Sequence, residues 1–365
     1  MKLQLKYLFC LLIGAFLFSC QKDTPQEKLL KQAQNSLVIG KPDIALNLLA
    51  SIQYPEKMDK DAYMQYIVTY VGAKKETKAD ITKDTLIFEA QQYFNDKRDF
   101  KNSALANYYS GWVYDVNGKL PQSLESFMYS ANAGSKSQNY LLAGKSFNNI
   151  GYIYFEQDLF DSAVINLKKA LYHYDKVENI APRKLKTLTN IGRSYEALNN
   201  LDSSYLYFYK CLSLAKETKN EAYEFYSLQN LGVVYYGMKD YDKAINCYQS
   251  ALSIDLPDEV NALNIQKIHL YLLNIYNEKQ ELETAKQYAD LVVEDLPKVT
   301  YKYTTKEMYA ALSEYYKQLG DYKQALLNRN LEKATKEQIE QEKDVAGLLN
   351  GDKNFYLAQK RRQDK

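Results

Sequence analysis

Apolar residues in the middle of the chain recur every three or four positions, the spacing of one face of an α-helix. In the stretch 231–252 this face consists of Leu231, Tyr235, Ala244, Tyr248, Ala251 and Leu252. The polar turn Lys239-Asp240 divides the stretch, and Asp240 or Asp242 can cap the second half. The pattern therefore predicts two helices joined by a short turn.

The same pattern returns along the chain at a nearly constant interval. A tyrosine recurs after 40, 41, 40, 41 and 40 residues, at Tyr114, Tyr154, Tyr195, Tyr235, Tyr276 and Tyr316. In the first four units a glycine precedes this tyrosine by three residues, at Gly111, Gly151, Gly192 and Gly232. Thirteen residues after the tyrosine comes a larger apolar residue in the same units, at Phe127, Leu167, Phe208 and Tyr248. Small residues let two helices cross closely, and the larger side chain fills the gap beside the crossing.

These positions resemble the tetratricopeptide repeat. The best matches are Leu231-Gly232, Tyr235, Ala244, Tyr248 and Ala251 in one unit, and Ile150-Gly151, Tyr154, Ala163 and Ala170 in another. The resemblance implies an all-α fold, an α-solenoid or superhelix of helical hairpins. The usual unit has 34 residues. The period of 40–41 residues therefore predicts helices longer by about one turn, or longer turns between units, similar to the arrays of peptide-pheromone receptors and kinesin light chains.

Two less typical hairpins precede the six regular units. They are predicted at Glu27–Leu37 with Asp43–Ile52, and at Asp61–Ala73 with Asp84–Asp96. The predicted organisation is atypical N-terminal hairpins over 26–100, six repeats over 101–340, and a charged C-terminal helix or tail over 341–365. About eight hairpins result. The basic end of the tail, Lys360-Arg361-Arg362, is interpreted as a solvated helix end.

The first twenty residues have the pattern of an export signal. Lys2 and Lys6 precede the apolar run Tyr7–Phe18, which is too short to span a bilayer comfortably. The segment Leu17-Phe18-Ser19-Cys20 resembles the lipobox of bacterial lipoproteins. That resemblance implies a signal peptide over 1–19, a lipid on Cys20 and a tether over 20–25. An ordinary secretory signal is the alternative.

The resemblance to lipoproteins also implies a location. It predicts a chain held at the cell envelope by its lipid anchor alone, with the outer membrane favoured. Cys20-Gln21-Lys22-Asp23 is similar to the surface-export signal of Bacteroidetes-type lipoproteins. Display on the cell surface and display on the periplasmic face both stay open.

Composition excludes several other classes of protein. Only 14 Gly and 7 Pro in 365 residues argue against a turn-rich β fold, and 46% hydrophobic residues argue against disorder. Loss of Lys2 and Lys6 would bring the formal net charge from +2 to zero, so no field would draw the chain to nucleic acid. Two His and four Cys make a metal site improbable, and no cofactor is expected. Cys211 and Cys247 are interpreted as small buried residues, with a bridge between them left open.

The resemblance also suggests where a ligand binds. In tetratricopeptide arrays the first helix of each pair lines the concave channel, and an Asn two residues before the Gly holds the backbone of a bound peptide. Here that position holds Asn149, Asn190 and Asn230. The alternative is that each Asn satisfies a neighbouring backbone group between helices. Further partner-binding candidates on the first helices are Tyr152, Phe155, Tyr226, Gln229 and Tyr236. This predicted lining is rich in aromatic rings and amides and carries little charge, which suits an extended peptide or a carbohydrate.

No catalytic residues are predicted. His173 and His269 are about a hundred residues apart and lack an expected partner, and no phosphate-binding loop or hydrolase motif is present. The predicted function is therefore a lipid-anchored, non-enzymatic scaffold for a protein or peptide partner. The alternatives are a glycan-binding surface lipoprotein and the extracytoplasmic sensor component of a regulatory system. A third alternative, an enzyme with its site built across repeats, would need a pair of carboxylates in the groove.

The lipid anchor is tested by Cys20→Ala. Cells that express the protein and receive radiolabelled palmitate should label the parent chain and leave this variant unlabelled, because the thiol is the attachment point. Label that persists on the variant would contradict the anchor.

Overall fold

Helices account for the architecture throughout the described residues. The computed structural model describes residues 24–341, and within that range it holds sixteen α-helices, two 3₁₀ helices and no strand. The predicted signal peptide over 1–19, Cys20 and the predicted tail beyond Gln341 lie outside the described residues. The chain divides into two compact units, Met1–Asn117 and Gly118–Lys365. The boundary that the sequence predicts at residue 100 divides the atypical hairpins from the regular repeats, and it stays a prediction.

The first unit contains the two predicted N-terminal hairpins and one further helix. Its helices are α1 (Pro25–Val38), α2 (Pro42–Ala50), α3 (Lys60–Glu76), α4 (Ile87–Asp96) and α5 (Phe100–Val116). A reciprocal pair of hydrogen bonds between Thr24 and Glu27 caps the start of α1. Leu30, Ala33, Ala45 and Leu49 form the core where the first helices meet.

The second unit continues with eleven helices. They are α6 (Leu120–Lys136), α7 (Tyr140–Glu156), α8 (Phe160–Tyr174), α9 (Ala181–Ala197), α10 (Leu201–Glu217), α11 (Glu221–Gly237), α12 (Tyr241–Leu252), α13 (Asp258–Glu278), α14 (Leu282–Asp295), α15 (Lys302–Gln318) and α16 (Tyr322–Gln341). From α7 onwards, each odd-numbered helix packs against the even-numbered helix that follows it. The fold class, an all-α solenoid of helical hairpins, is confirmed.

Longer helices explain the 40-residue period. Helices α9 and α10 each have 17 residues, and the turns 198–200 and 218–220 that follow them have three residues each. Of the two predicted alternatives, added helical length is therefore the one that accounts for this unit.

The turn inside each hairpin is closed by the recurring tyrosine. The backbone carbonyl of Tyr154, Tyr195 or Tyr235 accepts a hydrogen bond of 2.8–2.9 Å from the backbone N–H five residues later. The residue just before that N–H adopts a left-handed backbone, as at Asn199 (φ 56°) and Lys239 (φ 61°). Non-glycine residues accept this conformation at a cost of about 1 kcal/mol. The hairpins therefore need few glycines, in keeping with the low glycine content.

Glycines on the first helices permit very close helix crossings. A Cβ at Gly192 would lie 2.6 Å from Cε1 of Phe208, and a Cβ at Gly232 would lie 2.5 Å from Cε1 of Tyr248. Both rings are fully buried and cannot swing away. The predicted pairing of a small residue with a larger one at each crossing is therefore confirmed for these units.

Within residues 24–341, no helix combines the length and the apolar character that crossing a bilayer requires.

Substitution of Gly232 by Ala should destabilise the second unit. Alanine favours a helix by about 1 kcal/mol over glycine, but its methyl group would overlap the Tyr248 ring, and overpacking costs about 1–3 kcal/mol. We expect a lower midpoint of urea unfolding, followed by circular dichroism.

Gly237→Ala is the matched control in the same helix. There the nearest atoms to an added Cβ are the flexible Leu201 methyl groups, at 3.1 and 3.2 Å. Equal midpoints for the two variants would show that the crossing at Tyr248 does not limit packing.

Candidate functional site

The first helices of five successive pairs line a continuous groove in the second unit. Helices α7, α9, α11, α13 and α15 each contact the next first helix in this series. Three adjoining cavities lie along them, and one of the three encloses about 900 Å³ that opens to solvent. Arg193 on α9 and Lys267 on α13 line all three cavities. These two residues therefore mark the centre of the groove.

The solenoid curves enough to bring distant helices to the same cavity. Tyr301, which precedes α15, lines a cavity together with Tyr152 and Glu156 of α7. Burial raises the pKa of Tyr152 to about 12, and the charge of Glu156 acts in the same direction. Burial also raises the pKa of Tyr301, again with a contribution from Glu156. The groove is thus bounded at one end by side chains nearly 150 residues apart in the sequence.

Most of the predicted binding residues line these cavities. Tyr152, Phe155, Tyr226, Gln229, Asn190 and Asn230 line the three joined cavities. Tyr236 lines a separate cavity that also includes Glu307. Asn149 is not among the lining residues of any of these four cavities. Whether the residues bind a partner stays a prediction.

The three asparagines differ in their hydrogen bonds. The amide of Asn230 donates to the carbonyl of Tyr226 at 2.7 Å, a backbone group of its own helix and not one between helices as the alternative interpretation expected. The amide nitrogens of Asn149 and Asn190 are buried without a hydrogen-bond partner. A buried amide without a partner costs about 1–3 kcal/mol. Of these two, only Asn190 lies at a cavity.

The expectation of a groove with little charge is wrong. One cavity is lined by Arg193, Glu196, Lys267 and Glu307 together. It therefore also contains the pair of carboxylates, Glu196 and Glu307, that the sequence did not reveal. No hydrogen bond or ion pair within 4.0 Å joins any two of these four side chains. Protein surrounds them on several sides, although Glu307 is exposed and the other three are half-buried.

Burial changes the proton affinity of this cluster. It raises the pKa of Glu196 to about 7, and the negative charge of Glu307 adds to the effect while Arg193 opposes it. The protein around Glu307 also raises the pKa of its carboxyl by partial desolvation, although the side chain is exposed at the groove surface. Burial lowers the pKa of Lys267, and the nearby Arg193 charge acts the same way. In all three residues the protein disfavours the charged form.

Two fixed positions relative to the recurring tyrosine, each called a register here, could have revealed these charges in the sequence. Phe155, Glu196 and Tyr236 each follow the recurring tyrosine by one residue. Tyr226, Lys267 and Glu307 each precede it by nine residues. Because successive first helices lie side by side, residues at one register line the same wall of the groove. The predicted partner-binding residues included one or two members of each register, but not the charged members Glu196, Lys267 and Glu307.

The expectation that neither histidine has a partner is also wrong. Nδ1 of His269 lies 3.0 Å from a carboxylate oxygen of Asp295. Nε2 of His173 lies 3.3 Å from the hydroxyl of Ser135, with the rings of Tyr140 and Phe147 stacked on the imidazole. The repeat spacing did not predict either contact. In each one a histidine contacts a residue near the end of a different helix, which is Asp295 in α14 or Ser135 in α6. Neither histidine lines the groove cavities.

The cysteines are not bridged, and no metal cluster is formed in the described part of the chain. Cys211 and Cys247 are both free. Cys211 is buried, as predicted, and burial raises the pKa of its thiol, whereas Cys247 is only half-buried and the prediction for it is wrong. Residues 24–341 contain no group of three His, Cys, Asp or Glu side chains placed to hold a metal ion.

The fold and the groove place the chain among the helical-hairpin solenoids. Two models of the tetratricopeptide repeat match it, over residues 144–172 and 184–256. These two segments of the chain consist of tetratricopeptide repeats. No curated protein matches the sequence.

Solved structures share the fold at low sequence identity. The apo form of RapI has 13% identity and a TM-score of 0.67, covering 87% of this chain and 99% of its own. The apo form of the quorum sensor NprR from B. thuringiensis has 15% identity and a TM-score of 0.61, covering 92% and 94%. A Rap protein complexed with competence and sporulation factor has 13% identity and a TM-score of 0.53, covering 87% and 100%. Aspartyl phosphate phosphatase F from Bacillus subtilis has 12% identity and a TM-score of 0.52, covering 89% and 95%.

Replacement of Glu196 by Gln should stabilise the protein at high pH only. Because the folded pKa of about 7 exceeds the ordinary value of 4.5, the folded protein binds more protons than the unfolded chain between these values. This contribution to stability is complete below pH 4.5 and is lost as the pH rises through 7. Glutamine imitates the neutral acid, so the free energy of unfolding at pH 8 should rise on the order of 2 kcal/mol, allowing for partial exposure. Urea titrations at pH 4 and pH 8 measure the difference, which should vanish at pH 4.

Exposed Glu217 on α10 is the control. Glu217→Gln should show no such gain at pH 8. A gain for Glu196→Gln that is the same at both pH values would contradict the pKa assignment.

Proposed function

We propose that the groove of the second unit binds an extended segment of a protein or peptide partner, and that the chain has no catalytic activity of its own. The observation that carries the proposal is the run of three adjoining cavities along five successive first helices. A groove of this length suits an extended chain better than a compact small molecule. Amides at Asn190, Asn230 and Gln229 along it can match peptide groups as donors and acceptors.

The similar structures support a binding role. One Rap protein of this fold is complexed with competence and sporulation factor, and NprR is a quorum sensor. We extend to this chain only the general idea that such a solenoid receives a signalling or partner molecule. The extracytoplasmic sensor component, which the sequence analysis gave as an alternative function, would use the same groove. It would differ from a scaffold in the process that ligand binding controls.

We also propose that binding takes place at the bacterial cell envelope. The lipobox resemblance at Leu17–Cys20 supports a lipid on Cys20, and the polar residues after it support a short tether. The lipid would be the only contact with the membrane, and no nucleic acid, metal or cofactor would take part. The outer membrane is the favoured location.

Two rival functions have specific observations in their favour. The rings of Tyr152, Tyr226 and Tyr301 line one cavity, which would also suit a glycan. Glu196 and Glu307 in one cavity, and the phosphatase among the similar structures, favour an enzyme. Binding to a glycan array would support the first rival, and turnover in a screen of glycosidase and phosphatase substrates would support the second.

The groove is tested by photo-crosslinking in intact cells. Tyr152 and Tyr226 are each replaced by p-benzoylphenylalanine, which keeps an aromatic ring in the groove. After irradiation we expect a specific partner to be captured at both positions and identified by mass spectrometry, because a ligand in the groove lies against these rings.

Tyr172 and Tyr209 are the matched controls. They lie on the second helices α8 and α10, and their exposures of 60% and 52% resemble the 49% of Tyr152. The same substitution there should capture no such partner. Equal capture at the control positions, or capture there alone, would place the contact outside the groove and overturn the proposal.

A further inference from the structure

The centre of the groove carries charges of both signs that do not neutralise one another by contact. Arg193, Glu196, Lys267 and Glu307 line one cavity. None of them forms an ion pair within 4.0 Å with another of the four. Charges taken partly out of water without a partner cost free energy, and such arrangements are concentrated at functional sites. A bound ligand could supply the missing partners.

The two cations are arranged to receive an anion. They lie on α9 and α13, with α11 between them, and both line all three joined cavities. The guanidinium of Arg193 lies 5.0 Å from the centre of the Phe155 ring, which holds it against the groove wall. The two positive charges repel each other, and this repulsion adds to burial, the larger cause, in lowering the pKa of Lys267. A carboxylate placed between them would relieve this repulsion and could pair with both.

The two carboxylates are arranged to receive a cation. Glu196 lies one turn after Arg193 on α9, and Glu307 lies on α15. The negative charge of Glu307 repels that of Glu196 and disfavours its charged form. A lysine or arginine side chain of a ligand between them would remove that repulsion. Each pair of like charges thus shares the cavity with the pair of opposite sign but makes no ion-pair contact with it.

The presence of both pairs in one cavity restricts the ligand. A ligand segment with only negative charge would meet Glu196 and Glu307, and one with only positive charge would meet Arg193 and Lys267. Repulsion of the wrong charge is a usual source of specificity. A neutral segment would leave all four groups without an oppositely charged group in contact, in a partly desolvated groove.

We propose that the groove selects a peptide segment that carries an acidic and a basic side chain close together, the acidic group bound by Arg193 and Lys267 and the basic group by Glu196 and Glu307. This inference rests on the proposed function, because it specifies the ligand of the same groove. It adds a chemical requirement that a groove of amides and aromatic rings would not impose.

The test is selection from a random peptide library. The full-length protein in detergent is incubated with random octapeptides whose ends are acetylated and amidated, so that only side chains carry charge. Retained peptides are identified by mass spectrometry. We expect peptides with both an acidic and a basic residue to be enriched about tenfold over peptides with charge of one sign or none, as one charged hydrogen bond of moderate strength would produce.

Two double variants separate the two halves of the site. Arg193→Gln with Lys267→Gln should abolish the enrichment of acidic residues and keep that of basic residues. Glu196→Gln with Glu307→Gln should do the reverse. Lys239→Gln with Glu217→Gln changes one charge of each sign on exposed positions away from the cavities and should leave the selection unchanged. Circular dichroism and the urea midpoint check that each variant is folded.

A selected peptide gives a readout that a structural effect alone would not produce. Changing its acidic residue to the amide should weaken binding about tenfold to the parent protein and have almost no effect on the Arg193/Lys267 variant, because the partner charges are already absent. Equal losses in both proteins would overturn the assignment of the acidic group.

The remaining outcomes distinguish this inference from the proposed function. Peptides retained without charge preference, or with preference for one sign only, would overturn the inference and leave a peptide-binding groove. If the library yields no retained peptides, the proposed function itself fails, and the inference fails with it.

Discussion

The structure of the second unit depends on close contact between a glycine on the first helix of a pair and a large side chain on the second. At Gly192 and Gly232 the space that a Cβ would occupy is already taken by the rings of Phe208 and Tyr248. This contact fixes how near the two helices lie and at which point they cross. Because a contact of this kind recurs about every 40 residues, at Gly151, Gly192 and Gly232, these three pairs have a similar geometry, and their first helices follow one another along one side. The groove is the surface that this stacking leaves open.

The groove keeps features that weaken the fold. Glu196, Lys267 and Arg193 are half-buried without pairing to one another, and burial disfavours the charged forms of the two titrating residues among them. The amide nitrogen of Asn190 is buried without a hydrogen-bond partner nearby. Elsewhere in the second unit, charges lie mostly at exposed positions in ordinary surface pairs, such as Lys243 with Asp240. Charges of both signs that share one cavity without pairing by contact are most simply explained by a ligand that completes them.

Much of the fold was open to prediction because its signals are local. The helix pairs, the small residues at crossings and the buried Cys211 all follow from spacings within about thirty residues of sequence. The turn predicted at Lys239-Asp240 was located correctly although it lacks glycine. Lys239 adopts the left-handed conformation there, as Asn199 does in the preceding hairpin, and a hydrogen bond to the recurring tyrosine closes each turn. The binding residues were predicted less well. Tyr152 and Tyr226 line the groove, whereas Asn149, which shares the register of Asn190, is absent from the cavities described.

The sequence by itself determined the repeat, its period, the helical hairpins and the residues at which helices cross, because each depends on side chains close together in the chain. The tertiary structure alone decided which charges share a cavity. Glu196 and Glu307 are more than a hundred residues apart, as are Tyr152 and Tyr301, and they meet through the curvature of the solenoid. That curvature is the sum of small rotations between successive pairs. Each rotation depends on how whole helices pack, so no single motif encodes it.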